Sequence, residues 1–252
     1  MHKYFRIEII EAKANKDLSQ RFFEGHIQVL KEKGIRKLDS AAAEWLDNPS
    51  VQLICCFEDD HLVGGARIHQ FNANFRFPYE LVLASINPQY LRISDHEAPD
   101  KYGESCGLWI HKNFRRIGLK EMIMRYKMVC ANHLKLEHLY GICPRHTFDH
   151  FRTLGFIHCS FQNQMLEFPY PSPEYQTIAV KCNTKDFKYA FQREQKMMRS
   201  LRDNPFQTVI GGGTEGASIF EIHSSVIDRN ELLLEKQREI RKKKEEENKE
   251  WL

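Results

Sequence analysis

The sequence predicts an α+β fold: a mixed, mostly antiparallel sheet flanked by helices, with a helical C-terminal extension. Three observations predict it. Short apolar or alternating runs bounded by turn residues recur along the first 182 residues and read as strands. Between them lie segments with apolar residues at spacings of three and four, which read as amphipathic helices. After Cys182 the composition turns basic, then glycine-rich, then almost wholly charged.

Tyr4 to Ala12 alternates and is rich in isoleucine, a first strand. Asp17 to Lys33 carries Leu18, Phe22, Phe23, Ile27, Val29 and Leu30 on one helical face and stops at Gly34. Ser40 caps a short second helix through Leu46, closed by Asn48-Pro49. Val51–Phe57 and Leu62–Phe71 flank the polar turn Glu58 to His61, giving a hairpin. Asn72 to Gly103 shows no clear periodicity beyond a short apolar run, Leu81 to Ile86; so long a stretch is a functional loop, is disordered, or holds hidden elements. A helix over Leu119–Leu136, a strand over His138–Cys143 and a short helix over His146–Leu154 ending at Gly155 follow. Phe161–Phe168 and Tyr175–Lys181 read as two antiparallel strands separated by a proline-rich turn.

Glu104 to Lys120 carries the densest signal. Leu108-Trp109-Ile110 reads as the end of a buried strand; a basic turn then passes Gly118 into a helix with Leu119, Met122, Ile123, Tyr126 and Cys130 on one face. A strand, a glycine turn and a helix aim backbone N–H groups and the positive end of a helix dipole at one point, where phosphate often sits. Arg115, Arg116 and Lys120 add charge there. Such units are common and most bind nothing, so spacing alone leaves both readings open.

The 252 residues suit one ordinary domain plus an appendage, and 42% hydrophobic content supports a sizeable core. A net charge of +3 gives no argument for nucleic acid. Seven cysteines without paired spacing suit a reducing compartment. The first residues alternate like a strand and lack a signal-peptide core, and no apolar run reaches membrane-span length. The expectation is a soluble, cytoplasmic protein acting neither on nucleic acid nor at a membrane.

Ile110-x-x-x-x-Arg115-x-x-Gly118-x-Lys120 resembles the acyl-CoA motif of the GNAT acyltransferase superfamily, and Leu154-Gly155-Phe156 resembles its second signature. The order strand, two helices, hairpin, strand, helix matches that fold, so the resemblance covers residues 1–182 as an acyltransferase domain, with 183–252 as an extension. Lys112, Arg116 and Lys120 stand where the family has proline, glycine and a small residue, and Phe151 stands where a tyrosine acid is frequent. The resemblance implies acetyl-CoA or another acyl-CoA as co-substrate. Its pyrophosphate would lie on Arg115, Arg116, Ile117, Gly118, Leu119 and Lys120, its pantetheine arm along Leu108, Trp109 and Ile110, with Phe151 beside it. A weaker likeness to acyl-homoserine-lactone and N-acyl amino acid synthases, some of which draw on acyl carrier protein, rests on Gly65-Ala66-Arg67-Ile68, Phe77-Pro78 and Glu104; their Glu-x-Ser-Arg pattern is replaced by Glu104-Ser105-Cys106-Gly107.

Acyl transfer to an amine needs a base, a hydrogen-bond donor for the carbonyl oxygen and a route for the leaving thiolate. Glu104 is the candidate base; His150, His146 and Cys143 are weighed for the acid, with His150 first, although a helix neighbour of position 151 points about 100° away from it. Cys143, His146 and His150 have zinc-compatible spacing, but Pro144 and the strand–helix boundary explain the segment, and no metal is expected. Cys106 reads as a structural thiol. The function expected is acyl transfer from acyl-CoA to a small-molecule or peptide amine by direct attack. The other class is an inactive GNAT-like scaffold working through its tail; an open gap between the fourth and fifth strands favours the enzyme, a filled one the scaffold. Gly211 to Gly216 is a glycine-rich turn or hairpin and no P-loop, since no Gly-Lys-Ser/Thr follows. Residues 228–252, helix formers with few leucines, are a solvated helix or a surface for a protein partner or second copy.

Overall fold

The computed structural model describes residues 3–35, 43–94 and 98–228. Its strands are β1 (Lys3–Glu11), β2 (Val51–Glu58), β3 (His61–Gln70), β4 (Tyr102–Ile110), β5 (His138–Pro144), β6 (Phe156–His158), β7 (Ser160–Phe161), β8 (Gln164–Met165), β9 (Glu167–Pro169), β10 (Gln176–Asn183), β11 (Val209–Gly213) and β12 (Gly216–Ser224). Its helices are α1 (Lys16–Glu32), α2 (Pro78–Ile86), α3 (Leu119–His133), α4 (Phe148–Thr153) and α5 (Gln192–Asp203). Among the described residues a ten-stranded sheet runs β11-β12-β1-β2-β3-β4-β5-β10-β6, with β9 also on β10. Most neighbours are antiparallel; β1 with β12 and β4 with β5 are parallel. The expected mixed, mostly antiparallel α+β architecture is what forms.

Period-two alternation divides the core between the two faces of this sheet. On β2, Ile54 and Cys56 join the core with α3 and α5, while Leu53, Cys55 and Phe57 pack against Leu18, Phe22 and Val29 of α1. Asn15 caps α1 by accepting the Leu18 N–H at 3.0 Å. Helix α3 is buried on both sides, with Met124, Arg125, Met128 and Val129 covered as well as the predicted stripe, because α5 lies over its outer side. Arg125 makes a bidentate pair with Glu194, both contacts 2.7 Å, which ties α3 to α5.

Three sequence expectations change. The stretch from Asn72 holds α2, begun by Pro78 in the first turn and by Glu80, whose side chain accepts the Phe77 N–H at 3.3 Å. Phe161 to Phe168 is not one strand: Gln162 and Asn163 both take left-handed φ, 51° and 65°, and turn β7 back onto β8. The described part of the second helix, Ala43–Asp47, is a 3-10 turn; Ser40 lies outside the described residues, as does the charged run beyond Asp228. After Cys182, α5 packs on α3 and β12 pairs with β1, so this segment shares the sheet and the main core. No described helix is long and apolar enough to cross a membrane.

Candidate active site

Strand β4 organises the site because its two halves differ. Tyr102, Gly103 and Glu104 pair with His138, Leu139 and Tyr140 of β5; from Ser105 onward β4 has no ladder partner on that side among the described residues, and the strands part. The register between β3 and β4 also shifts between Gly65 and Arg67, so β4 carries an extra residue at Gly107-Leu108. Gly107 takes φ +60, and a Cβ there would lie 2.6 Å from Arg67 Nε, so a glycine makes both the bulge and the room for the guanidinium. Beyond the bulge His111 N–H bonds Val63 O at 2.9 Å. Alternation in an antiparallel ladder then turns the N–H and C=O of Ile110 away from β3, into the opening. Trp109 goes the other way, its ring against Phe22 at 5.7 Å.

The chain leaves the opening through the basic loop. Arg115 Nε donates to Ile110 O at 3.3 Å, folding the loop back on its strand. Arg116 and Gly118 are both left-handed, φ 66° and 91°, and Gly118 is the N-cap of α3. The first turn of α3 leaves the N–H groups of Leu119, Lys120 and Glu121 without intrahelical partners. Backbone donors, a helix N-terminus and the cations Arg115, Arg116 and Lys120 thus lie beside an unpaired strand edge.

Glu104 sits on the other face, fully buried where β4 and β5 part. Its Oε1 accepts the Tyr79 N–H at 3.1 Å, in the first turn of α2, where a helix dipole favours an anion. Tyr79 stacks between Phe77 and Tyr140, both centroid distances 5.8 Å, and roofs the carboxyl. Oε2 is buried with no hydrogen-bond partner among the described residues. Burial raises the Glu104 pKa to about 8, against the Tyr79 N–H and Arg67, which lower it; Glu80 raises it and Lys127 lowers it. Burial lowers Lys127 to about 8, with Cys106, Glu104 and Cys182 opposing. Arg67 is fully buried, stacked 4.4 Å over the Trp45 ring.

His150 is elsewhere. Its charged neighbours are Lys120, Glu121, Glu194 and Arg125, none shared with Glu104; burial first, then Lys120, lowers its pKa, and its Nε2 is buried without a partner among the described residues. Phe151 packs edge-on against Phe156 at 5.2 Å, against the core below α4. The structure therefore gathers Glu104 with Arg67, Phe77 and Pro78, gathers positions 115–120 into one loop, and keeps His150 apart from Glu104. Cys106, raised to about 12 by burial first, is no thiolate at neutral pH. No group of three His, Cys, Asp or Glu that could hold a metal occurs among the described residues. Lys127 escapes sequence reasoning because a lysine four residues after Ile123 reads as a solvated side chain; its place on the apolar stripe is the signal. Trp45 and Tyr79 carried none.

No protein-family model and no curated protein matches this chain. Among solved structures it is similar to FeeM, an N-acyl amino acid synthase from uncultured soil microbes, at 17% identity over 77% of this chain and 98% of that one, TM-score 0.56. It is similar to BjaI, a CoA-dependent acyl-homoserine lactone synthase, at 12% identity over 90% of this chain and 96% of that one, TM-score 0.59. An acyl-CoA N-acyltransferase from Pseudomonas aeruginosa aligns at 12% identity over 70% of this chain and 98% of that one, TM-score 0.50. This chain shares the fold of these structures, the GNAT fold.

Proposed function

We propose that the chain is an N-acyltransferase that moves an acetyl or other acyl group from acyl-CoA to an amine by direct attack. The observation that carries this reading is the end of β4–β5 pairing at Glu104 and Tyr140, which leaves a strand edge open beside the basic loop. The loop from Arg115 to Lys120 would hold the pyrophosphate, through backbone N–H groups and charge. The freed edge from Leu108 to Ile110 would pair with the amide-rich pantetheine arm as a strand would. Glu104 would take a proton from the incoming ammonium, directly or through a water, at Oε2. The amine nitrogen then bonds to the thioester carbon, and a strand-edge N–H faces the oxygen as its charge grows. The C–S bond breaks and the thiolate leaves; with a thiol pKa near 8.5 it needs no strong acid, and it takes up the second proton shed by the nitrogen, leaving the neutral amide and free thiol.

The likeness to N-acyl amino acid synthases supports a second reading, in which the donor is a longer acyl chain on acyl carrier protein. The observation favouring it is that Arg67, Phe77-Pro78 and Glu104, far apart in sequence, meet at one place. Calorimetric titration with acetyl-CoA, longer acyl-CoAs and free coenzyme A tests the first reading. Saturable binding weakened about tenfold in Arg115→Ala and lost in Gly118→Glu, whose carboxylate would face the phosphate, supports it. Absence of binding by every coenzyme A species, with turnover of acyl carrier protein thioesters, moves the assignment to the second.

A further inference from the structure

The glycine run near the C-terminal end of the sheet lies against the basic loop. Helix α3 and the loop before it meet the turn between β11 and β12, backbone against backbone. Glu215 N–H donates to Arg116 O at 3.0 Å, and the Ser218 hydroxyl donates to Ile117 O at 3.0 Å. The Arg116 guanidinium pairs with Glu215 at 3.1 Å. A Cβ on Gly213 would lie 2.0 Å from Arg116 O and 2.7 Å from Gly118 N, whereas one on Gly212 would meet nothing within 4 Å.

We propose that the β11–β12 hairpin holds the donor loop in its phosphate-binding conformation, with Gly213 as the positioning residue. This rests on the reading of that loop given above. The reason lies in peptide geometry. In a planar trans peptide the C=O and the following N–H point in opposite directions. Two carbonyls, Arg116 and Ile117, are drawn toward the hairpin. The N–H groups that share their peptide planes, those of Ile117 and Gly118, are thereby turned away from it, outward, as anion donors. Arg116 takes a left-handed conformation, φ 66°, that an L side chain avoids. Left to itself the loop would relax and the peptides would rotate. A side chain at 213 would push against the Arg116 carbonyl and swing both planes. The glycine run absent from any phosphate-loop pattern is thus not a phosphate loop; it is the buttress of one.

The matched pair Gly213→Ala and Gly212→Ala tests this, because both put one methyl on the same strand. Two readouts are taken: amide hydrogen exchange of Ile117 and Gly118 in the ligand-free protein, and steady-state kinetics with acetyl-CoA and the acceptor varied separately. Gly213→Ala is expected to speed exchange at both amides and raise the donor KM about tenfold or more, the scale of a 1 Å misplacement, leaving the acceptor KM unchanged. Gly212→Ala is expected to match the wild type. Ser218→Ala, which removes one hydroxyl and adds nothing, is expected to raise the donor KM about fivefold and serves if Gly213→Ala folds poorly. Equal exchange and equal donor KM in the two alanine variants would overturn the proposal, as would tighter donor binding in Gly213→Ala, which would make the hairpin a plug. Wild-type protein that takes up no coenzyme A would sink the reading of the loop as a donor site. The exchange readout separates that failure from failure of the hairpin's hold.

Discussion

The basic loop and the Glu104 cluster place charge in opposite surroundings. On the loop the Arg116 side chain is 73% exposed and its partner Glu215 54%. Beneath α2, Glu104, Arg67 and Lys127 are each no more than 1% exposed. Exposed charges are screened within about 10 Å at ordinary salt and act nearly independently. Buried ones set each other's protonation, so a change at one is felt at all. The loop should therefore tolerate single losses, while the cluster should not.

Four measurements can break or sharpen that contrast. The largest effect belongs to Glu104→Gln, expected to lower kcat about 10²–10⁴-fold, the usual range for a general base, with donor KM unchanged. A variant that keeps turnover would remove Glu104 from the chemistry. The pH profile extends it. Wild-type kcat/KM should climb with pH around an apparent pKa near 8 and the climb should vanish in the glutamine variant. Stability runs the other way. The folded pKa is above the ordinary 4.5, so the carboxyl's stabilising contribution is present below about 4.5 and lost as pH rises through about 8. Melting temperatures should favour Glu104→Gln increasingly across that window.

Next comes Arg67→Ala. Removing one member of a buried charged group costs about 3–5 kcal/mol, read as a shift of the denaturation midpoint. Because Arg67 lowers the Glu104 pKa, the rate profile should also move to higher pH in any folded fraction. Arg115→Ala should weaken coenzyme A binding about tenfold, about one charge-assisted contact, and flatten its salt dependence. Smallest is the Arg116–Glu215 pair, whose double-mutant cycle on stability should give less than about 1 kcal/mol. A larger coupling there would mean that the loop is less like a solvated surface than its exposure suggests.

The same contrast explains what the sequence disclosed. The loop is local: strand, basic turn, Gly118 and the start of the helix lie within seventeen residues, so periodicity with one glycine shows the strand–turn–helix, while its reading as a phosphate site came from the resemblance. The Glu104 cluster joins β3, β4, the start of α2 and α3, and only the fold brings them together. Glu104 could be named because the resemblance puts the base on the fourth strand, but neither its burial nor the Tyr79 amide was visible. Lys127 was hidden because Ile123, Tyr126 and Cys130 carry the stripe without it, and a lysine among them reads as a solvated side chain. The β7–β8 turn was missed because Gln162-Asn163 lacks the glycine that advertises such turns. The segment over 209–224 was legible as a turn or a hairpin; its neighbour was not, since nothing in a glycine run says which backbone it lies against.

The parallel pairing of β12 with β1 has a consequence for how the protein is made. Ile7 sits beside Ile222, more than two hundred residues later in the chain. As the polypeptide leaves the ribosome, β1 can find β2 early, but its outer edge must wait for nearly everything else to be synthesised. During that interval Phe5, Ile7 and Ile9 alternate along a strand with unpaired N–H and C=O groups on one side, a template for pairing with other nascent chains. A chain cut after Cys182 would make the waiting permanent, and should collect in inclusion bodies through that edge.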